Sequence, residues 1–230
     1  MAKNILLACV LTAAGGYLLG SILFGVLISK VMYNDDVRNH GSGNAGMTNV
    51  LRTYGKLPAV LTTIGDVGKS VAAVSLGRFI FDALLSGTGA AWQSPLDPVC
   101  GAYLAAIFCM IGHSRPIFFG FKGGKGVLVG AVMLAFFDWR VFAIAFALFI
   151  LSVVLTKWIS LGSILGAVSF PITTWLFYRD PVLTAMAFGM AAAVVFMHRS
   201  NIGRILHGTE NKFSFKSKKT IEASPDGEEK

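Results

Sequence analysis

The sequence predicts an all-α, polytopic integral membrane protein with about seven transmembrane helices, its N-terminus outside the cell and its C-terminus inside. Of the 230 residues, 54% are hydrophobic and only 14% are charged, whereas soluble domains carry about 25% charged residues. A membrane-spanning helix needs about 20 predominantly apolar residues. Apolar runs occur at 5–29, 57–85, 98–119, 126–138, 140–157, 160–178 and 181–198.

The first and fourth runs need separate justification. The first follows Lys3 and continues without a clear cleavage site, so it is predicted to be a retained span rather than a signal peptide. The fourth, 126–138, is the shortest. We expect it to cross only where the bilayer thins or neighbouring helices assist.

The basic residues set the orientation. They concentrate in four segments, which are 30–56, 115–125, the turn at Lys157 and the tail from residue 199. Basic loops stay in the cytoplasm, and seven spans place all four segments on that side. A single long span over 126–157 would put the tail outside. The charge pattern therefore predicts a hairpin at residues 137–140.

The bulk composition also bounds the domain organisation and the partners. Residues 1–212 are predicted to form one membrane-embedded domain, and 213–230 a disordered cytoplasmic tail that has no apolar period. The net charge of +8 favours anionic lipids or anionic substrates. Nucleic acid is not expected as a partner, because no basic stripe is interleaved with aromatic residues. The oligomeric state is left open.

The first polar segment, 40–56, contains GSGNAG at 41–46, which matches the dinucleotide-binding pattern G-x-G-x-x-G. That pattern requires a preceding strand, and here a membrane helix precedes it. Small residues still allow backbone N–H groups to approach an anion, and arginine suits phosphate. The alternatives are a flexible polar loop and, for the arginine, an interfacial side chain. The candidate residues are Gly41, Ser42, Gly43, Asn44, Asn49 and Arg52.

The second polar segment, GHSRPIFFGFKGGKGV at 112–127, carries a Gly-Gly-Lys-Gly string. It is not a Walker A loop, because Phe119 replaces its first glycine and Gly126 replaces its Ser or Thr. Glycines at the start of a membrane helix allow the backbone to approach a charged ligand closely, and this is the functional interpretation of the string. The alternative interpretation is a plain basic loop without a ligand. The candidates are Lys122, Gly123, Gly124 and Lys125, while His113 is interpreted as structural.

The third polar segment, 197–212, places His198, Asn201 and Arg204 at intervals of three. On a helix this spacing gives one polar face, and Glu210 follows. Ser163 is expected on the same side of the membrane. The alternative is a solvated helix end. Within the second span, Asp66 and Lys69 are expected to form a buried ion pair.

Together the three segments predict a basic site at one membrane interface for a phosphorylated substrate. No His, Cys, Asp and Glu cluster has metal-ligand spacing, and neither a metal nor another cofactor is expected. The G-x-S-x-G nucleophile motif is also absent.

The strings GSGNAGMTNVLR, GHSRPIFFGFKGGKGV and HRSNIGRILHGTE resemble, in order and spacing, the three motifs of the bacterial acyl-phosphate:glycerol-3-phosphate acyltransferases, the PlsY family. The resemblance runs from the first span to residue 212. It departs at Met47, where that family usually has alanine, and at Ser70, where glycine is common.

The resemblance implies an enzyme of the bacterial cytoplasmic (inner) membrane with its active site at the cytoplasmic face. It would transfer an acyl group from a long-chain acyl phosphate to the 1-hydroxyl of glycerol 3-phosphate, forming lysophosphatidic acid and phosphate. The acyl chain would lie in an apolar groove between spans. The alternative is a membrane carrier for a phosphorylated metabolite. Carrier sites lie near the bilayer midplane, within internal repeats. The carrier is disfavoured because the polar segments of this sequence are predicted at one membrane interface and the sequence has no evident repeat.

The site residues follow from the same resemblance. Glycerol 3-phosphate would contact Arg52, Lys125, Ser163, His198 and Asn201, and the acyl phosphate would contact Ser42, Asn44 and the backbone of 41–46, with Lys122, Gly123 and Gly124 assisting. The expected catalytic residues are Ser42, Lys125, His198 and Asn201. The general base is either His198 or the phosphate of the substrate. Further substrate contacts are expected at Gly41, Gly43, Asn49, Arg204 and Glu210.

Overall fold

The computed structural model describes residues 2–85 and 98–213, which form ten α-helices and no strand. The predicted turn at 86–97 and residues 214–230 of the predicted tail lie outside the described residues. The helices are α1 Ala2–Gly20, α2 Phe24–Tyr33, α3 Met47–Tyr54, α4 Lys56–Leu85, α5 Pro98–Ser114, α6 Val127–Phe137, α7 Trp139–Thr156, α8 Ile159–Tyr178, α9 Pro181–Met197 and α10 Arg199–Leu206.

Several of these helices are long and apolar enough to span a membrane. Within the described residues there are five such segments, with α1 and α2 counted together as Lys3–Tyr33. A sixth is obtained if α9 and α10, which meet at 59°, count as one. The fourth predicted span corresponds to α6, which has only 11 residues and is about 16 Å long. It is therefore shorter than the hydrocarbon layer.

The hairpin that the charge pattern predicted at 137–140 is confirmed. α6 ends at Phe137 and α7 begins at Trp139. Asp138 lies between them, and its carboxylate accepts a hydrogen bond of 2.7 Å from the backbone N–H of Arg140. The hydroxyl of Tyr178 also donates to this carboxylate, so the end of α8 lies at the same end of the bundle as the hairpin.

Two groups of helices build the bundle, and α6 lies between them. In the first group, α1 and α4 pack closely on α5 at glycines. A Cβ on Gly20 would lie 2.1 Å from the carbonyl oxygen of Cys109, and one on Gly77 would lie 2.3 Å from that of Gly101. Small residues serve this purpose because lipid provides no hydrophobic drive for helix association. The second group consists of α7, α8 and α9.

The first apolar run is interrupted between α1 and α2, which its composition did not predict. The break leaves backbone carbonyls without helical donors, and the buried ammonium of Lys69 on α4 satisfies two of them. It donates to Ile22 at 2.6 Å and to Gly20 at 3.3 Å. Lys69 also lies 2.7 Å from the carboxylate of Asp66. This confirms the predicted ion pair.

Candidate active site

The first polar segment forms a loop between α2 and α3 that is organised by the buried side chain of Asn49. Its amide oxygen accepts a hydrogen bond from the backbone N–H of Ser42 at 3.0 Å. Its amide nitrogen lies 3.0 Å from the carbonyl oxygens of Val37, His40 and Asn44. Both ends of the amide are thus occupied by the loop backbone. Asn49 thus shapes the loop, and its substrate contact stays a prediction.

Gly41 and Gly43 provide the turns of this loop. Their φ angles are +57° and +68°, a region that glycine adopts without strain. A Cβ on Gly41 would also lie 2.3 Å from the amide oxygen of Asn49. Neither glycine lines the cavity described below, but Ser42 and Asn44 do. The glycines therefore allow the backbone path that presents these two polar side chains.

Arg38 joins the first loop to the second, and sequence analysis did not identify it. Its guanidinium donates to the carbonyl oxygens of Phe119 at 2.7 Å and Lys122 at 2.9 Å. The carboxylate of Asp36 holds the same guanidinium, and this hydrogen bond lowers the pKa of Asp36. The acceptors are backbone groups 81 and 84 residues away, so the residue types carried no signal of this contact.

The glycines of the second polar segment pack against His113. A Cβ on Gly123 would lie 1.9 Å from the carbonyl oxygen of His113, and one on Gly124 would lie 2.0 Å from its Nε2. The sequence had suggested close approach to a ligand, but the structure shows close approach to a histidine. Neither glycine lines the cavity, and Lys122 is exposed outside it. Lys125 does line the cavity.

The third polar segment is organised around Glu210, whose side chain is only 6% exposed. One carboxylate oxygen accepts hydrogen bonds from the amide of Asn201 at 2.7 Å and the hydroxyl of Ser160 at 2.9 Å. The other lies 2.8 Å from Nε of Arg204. The ammonium of Lys125 donates to the amide oxygen of Asn201. Glu210 therefore connects α8 with α10 directly and reaches Lys125, just before α6, through Asn201.

A cavity of about 450 Å³ collects these side chains at its polar end. It is lined by ten of the fifteen residues that the sequence analysis singled out, which are Ser42, Asn44, Asn49, Arg52, Lys125, Ser163, His198, Asn201, Arg204 and Glu210. They come from α3, α8, α10 and the loops between, so residues more than 150 positions apart in the chain meet at one site.

The same cavity continues as an apolar groove between α6, α7, α8 and α9. Its lining there includes Gly130, Leu134, Phe142, Ala145, Phe146, Phe149, Gly166, Ala167, Phe170 and Met190. From Ser163 to Phe170 on α8 the groove extends over eight helical residues, or about 10 Å. Its shape and polarity suit a molecule with an anionic head and a long apolar chain.

Burial and neighbouring charges shift the pKa values at the polar end. Burial lowers the pKa of Lys125 to about 8, although the charge of Glu210 acts in the opposite direction. Burial likewise lowers the pKa of Arg52. Burial alone would raise the pKa of Glu210, but hydrogen bonds from Asn201, Ser160 and Arg204 outweigh it and lower the pKa. At the mouth, the cations Arg52, Lys125 and Arg204 thus lie near the carboxylate of Glu210.

His198 lies buried at the junction of α9 and α10 and lines the cavity. Its Nδ1 is 2.7 Å from the carbonyl oxygen of Val194, and a carbonyl only accepts, so Nδ1 carries the proton. In the neutral ring, Nε2 is then the acceptor. The geometry fits a group that accepts a hydrogen bond or a proton from a hydroxyl. Among the described residues, no three His, Cys, Asp or Glu side chains gather into a group that would hold a metal ion.

This chain is similar to known glycerol-3-phosphate acyltransferases. Residues 10–208 match the family model described as glycerol-3-phosphate acyltransferase. The chain is 37% identical to a glycerol-3-phosphate acyltransferase of a Synechococcus species over 92% of this chain and 98% of that protein. It is 38% identical to one of Clostridioides difficile over 90% and 96%.

Solved structures agree with these relatives. One is a crystal structure of PlsY, an integral membrane glycerol 3-phosphate acyltransferase, in its glycerol 3-phosphate form. It superposes with a TM-score of 0.75 at 31% identity, over 90% of this chain and 96% of that one. The lysophosphatidic acid form of PlsY superposes with a TM-score of 0.72.

Proposed function

Since the chain belongs to the glycerol-3-phosphate acyltransferase family, we propose that it transfers an acyl group from a long-chain acyl phosphate to the 1-hydroxyl of glycerol 3-phosphate. The products are lysophosphatidic acid and phosphate. One observation carries the proposal, the continuity of a cationic mouth with an apolar groove in a single cavity. Such a cavity accommodates both the phosphate groups and the acyl chain of these substrates.

Arg52 and Lys125 hold the phosphate of glycerol 3-phosphate. Both line the mouth, and both are partly withdrawn from water, where charge-assisted hydrogen bonds are stronger. Arginine adds a planar, bidentate grip. Asn201, Ser163 and His198 bind the remaining polar atoms, and Glu210 fixes Asn201 and Arg204 in place. Glu210 therefore supports the site, whereas the sequence analysis predicted that it contacts the substrate.

Ser42 and Asn44 hold the acyl phosphate at the junction of mouth and groove. Their loop is shaped by Asn49 and tied to the second loop by Arg38. Donors fixed in advance stabilise the charge that develops on the acyl carbonyl oxygen during transfer. The acyl chain lies in the groove, whose opening between helices admits lipid substrates from the bilayer.

Transfer occurs by direct attack. The 1-oxygen of glycerol 3-phosphate bonds to the acyl carbon, the bond from that carbon to the phosphate oxygen breaks, and phosphate leaves with the electron pair. Juxtaposition of two bound substrates contributes much of such a rate enhancement. The hydroxyl proton goes to Nε2 of His198 or to a substrate phosphate. A His198→Ala enzyme with full turnover at saturating glycerol 3-phosphate would exclude the histidine.

The chain crosses a bacterial cytoplasmic membrane seven times, with its N-terminus outside, its C-terminus inside and its active site facing the cytoplasm. In this arrangement α6 is the short crossing. Lys125 at its start lines the mouth, and Asp138 at its end lies beside Tyr178. Alkaline phosphatase fused after residue 138 should be active, and the same fusion after residue 157 should be inactive. The reverse pattern would overturn the orientation.

The decisive assay uses purified protein in lipid with glycerol 3-phosphate and either palmitoyl phosphate or palmitoyl-CoA, without added metal. We expect lysophosphatidic acid from the acyl phosphate alone. Lys125→Ala should lower kcat/KM for glycerol 3-phosphate by about 30-fold or more, because a charged partner of the phosphate is lost. Lys122→Ala is the matched control and should change it little.

Other outcomes identify the part of the proposal that fails. Product from palmitoyl-CoA alone would keep the acyltransferase and replace the donor. Binding of glycerol 3-phosphate without product from either donor would favour the carrier. Equal losses in the two lysine variants would remove Lys125 from the site.

A further inference from the structure

We propose that Lys69 and His113, neither of which has a part in the transfer step above, are positioning residues that hold the Gly-Gly-Lys-Gly loop and thereby place the ammonium of Lys125 in the cavity mouth. The effect on substrate affinity rests on the proposed function, in which Lys125 binds the phosphate of glycerol 3-phosphate. The effect on the position of Lys125 does not.

The first step is the fixation of the His113 ring. Nζ of the buried Lys69 lies 2.9 Å from Nδ1 of His113. An ammonium only donates, so Nδ1 accepts and Nε2 carries the ring proton. Lys69 is itself fixed by the carboxylate of Asp66 and the carbonyl of Ile22. The hydrogen bond from this fixed ammonium therefore sets the orientation and the tautomer of the His113 ring.

The second step is the fixation of the loop by His113. The backbone N–H of Gly124 donates to the carbonyl oxygen of His113 at 2.9 Å. The loop also packs on the ring and the backbone of His113 so closely that a Cβ on Gly123 or Gly124 would overlap with it. The hydrogen bond and the contact act on consecutive residues. The loop backbone therefore has little freedom at this point.

The third step transmits this fixation to Lys125, the next residue in the chain. Gly126 follows with a φ of +70°, and a Cβ there would lie 2.3 Å from Cγ of Met110. Lys125 is thus held between two glycines that are each packed against α5. Its ammonium reaches Asn201. A small displacement of Gly124 would move this ammonium, and misplacement by about 1 Å can reduce activity by roughly 100-fold.

The kinetic test compares His113→Leu, Gly124→Ala and the double variant with the parent enzyme. His113→Leu removes the ring that Lys69 holds, and Gly124→Ala introduces a methyl group where the ring lies. Each should raise KM for glycerol 3-phosphate roughly tenfold, with KM for the acyl phosphate and kcat at saturation little changed. The double variant should be no worse than the more impaired single variant, because both act through one contact.

The outcomes are separable from a general loss of structure. If KM for both substrates rises and Tm falls in parallel, the two residues only stabilise the fold and the proposal fails. An unchanged KM for glycerol 3-phosphate, or effects that multiply in the double variant, would also overturn it. If His113→Leu does not fold, Gly124→Ala carries the test, because it removes no side chain.

A second measurement reads the position of Lys125 without catalysis. The full-length variants in lipid are treated with a limiting amine-reactive ester, and modification of Lys125 is compared by mass spectrometry with that of exposed Lys122. We expect Lys125 to become several-fold more reactive relative to Lys122 in both single variants. An unchanged ratio would contradict the proposal. Lys125→Ala with an unaltered KM would instead contradict the proposed phosphate contact and leave the positioning result standing.

Discussion

At the scale of single residues, Glu210 sets the charge state of the cavity mouth. It accepts hydrogen bonds from three side chains. Its charge also raises the pKa of Lys125 and so opposes the burial that brings this pKa down to about 8. Lys125 is cationic below its pKa. In the parent enzyme, kcat/KM for glycerol 3-phosphate should therefore fall as the pH rises through about 8.

Glu210→Gln should move this decline to lower pH. The substitution removes a negative charge near Lys125, so the ammonium releases its proton more readily and its pKa falls. The measurement is the profile of kcat/KM from about pH 6 to pH 10, a range that brackets the lysine pKa. Ser160→Ala removes one hydrogen bond to Glu210 without removing charge, and its profile should not shift. A shift to higher pH in Glu210→Gln would contradict the assignment.

We expect Asn49 to act on the site through the loop rather than through the substrate. Asn49→Ala removes the acceptor of the Ser42 N–H and the two amide N–H donors that lie near the carbonyls of Val37, His40 and Asn44. Each lost hydrogen bond costs about 1 kcal/mol. We expect kcat/KM to fall at least about tenfold, with faster amide exchange in residues 37–46. Asn49→Asp keeps the acceptor for Ser42 but loses the donors, and should be intermediate. Lower activity with unchanged exchange would indicate a direct substrate contact.

The sequence predicted which side chains meet but not always why. Lys125, His198, Asn201 and Arg52 were expected together and do line one cavity. Their spacing on a polar face and their residue types carried that information. Gly123 and Gly124 were predicted to approach a ligand, and in the structure they pack against His113, because a glycine signals close approach without identifying the group that approaches. Arg38 was missed because its acceptors are carbonyls, which every residue has.

At the scale of secondary-structure elements, the ends of helices were predicted best where charge marks them. The α6–α7 reversal occurs at Asp138, where the charge pattern placed it. The break between α1 and α2 was not predicted, because residues 5–29 are apolar throughout and the cation that satisfies the break lies on α4. The hydropathy of a segment depends on that segment alone, so it carries no information about a partner residue elsewhere in the chain.

Helix contacts in the first group depend on glycine, and α4 offers a matched pair to test this. Gly77→Ala places a methyl group 2.3 Å from the carbonyl oxygen of Gly101. Overpacking of this kind costs about 1–3 kcal/mol, so Tm should fall by several degrees. Gly68→Ala faces open space on the same helix and should keep or raise Tm. Thermal unfolding in one detergent compares them, and equal Tm values would exclude a close α4–α5 contact.

At the scale of the whole molecule, α6 and the second helix group leave between them the groove that joins the mouth. The groove is a product of the arrangement, because its lining comes from four helices and no one of them shows a hydrophobic pattern that distinguishes groove from lipid contact. The sequence identified α6 as unusual only by the short length of its apolar run. Only the assembled bundle shows that α6, which is too short to cross an ordinary hydrocarbon layer alone, forms one wall of this groove.

Gly130 on α6 lines the groove, and a Cβ there would meet nothing within 4 Å. Gly130→Leu should therefore fill groove volume without disturbing the bundle. Gly189 on α9 also has open space at its Cβ, but it does not line the cavity, so Gly189→Leu is the matched control. Both substitutions add the same apolar side chain to an apolar helix. Any difference in activity between the two variants therefore reflects the loss of groove volume.

We expect Gly130→Leu to lower kcat/KM for palmitoyl phosphate about tenfold or more, because overpacking at a binding groove costs at least about 1–3 kcal/mol. The loss should be smaller for octanoyl phosphate, whose chain occupies less of the groove, and KM for glycerol 3-phosphate should not change. Gly189→Leu should leave both donors unaffected. If the two variants behave alike, or if Gly130→Leu impairs only glycerol 3-phosphate, the acyl chain lies elsewhere. In that case the apolar part of the cavity serves packing rather than substrate binding.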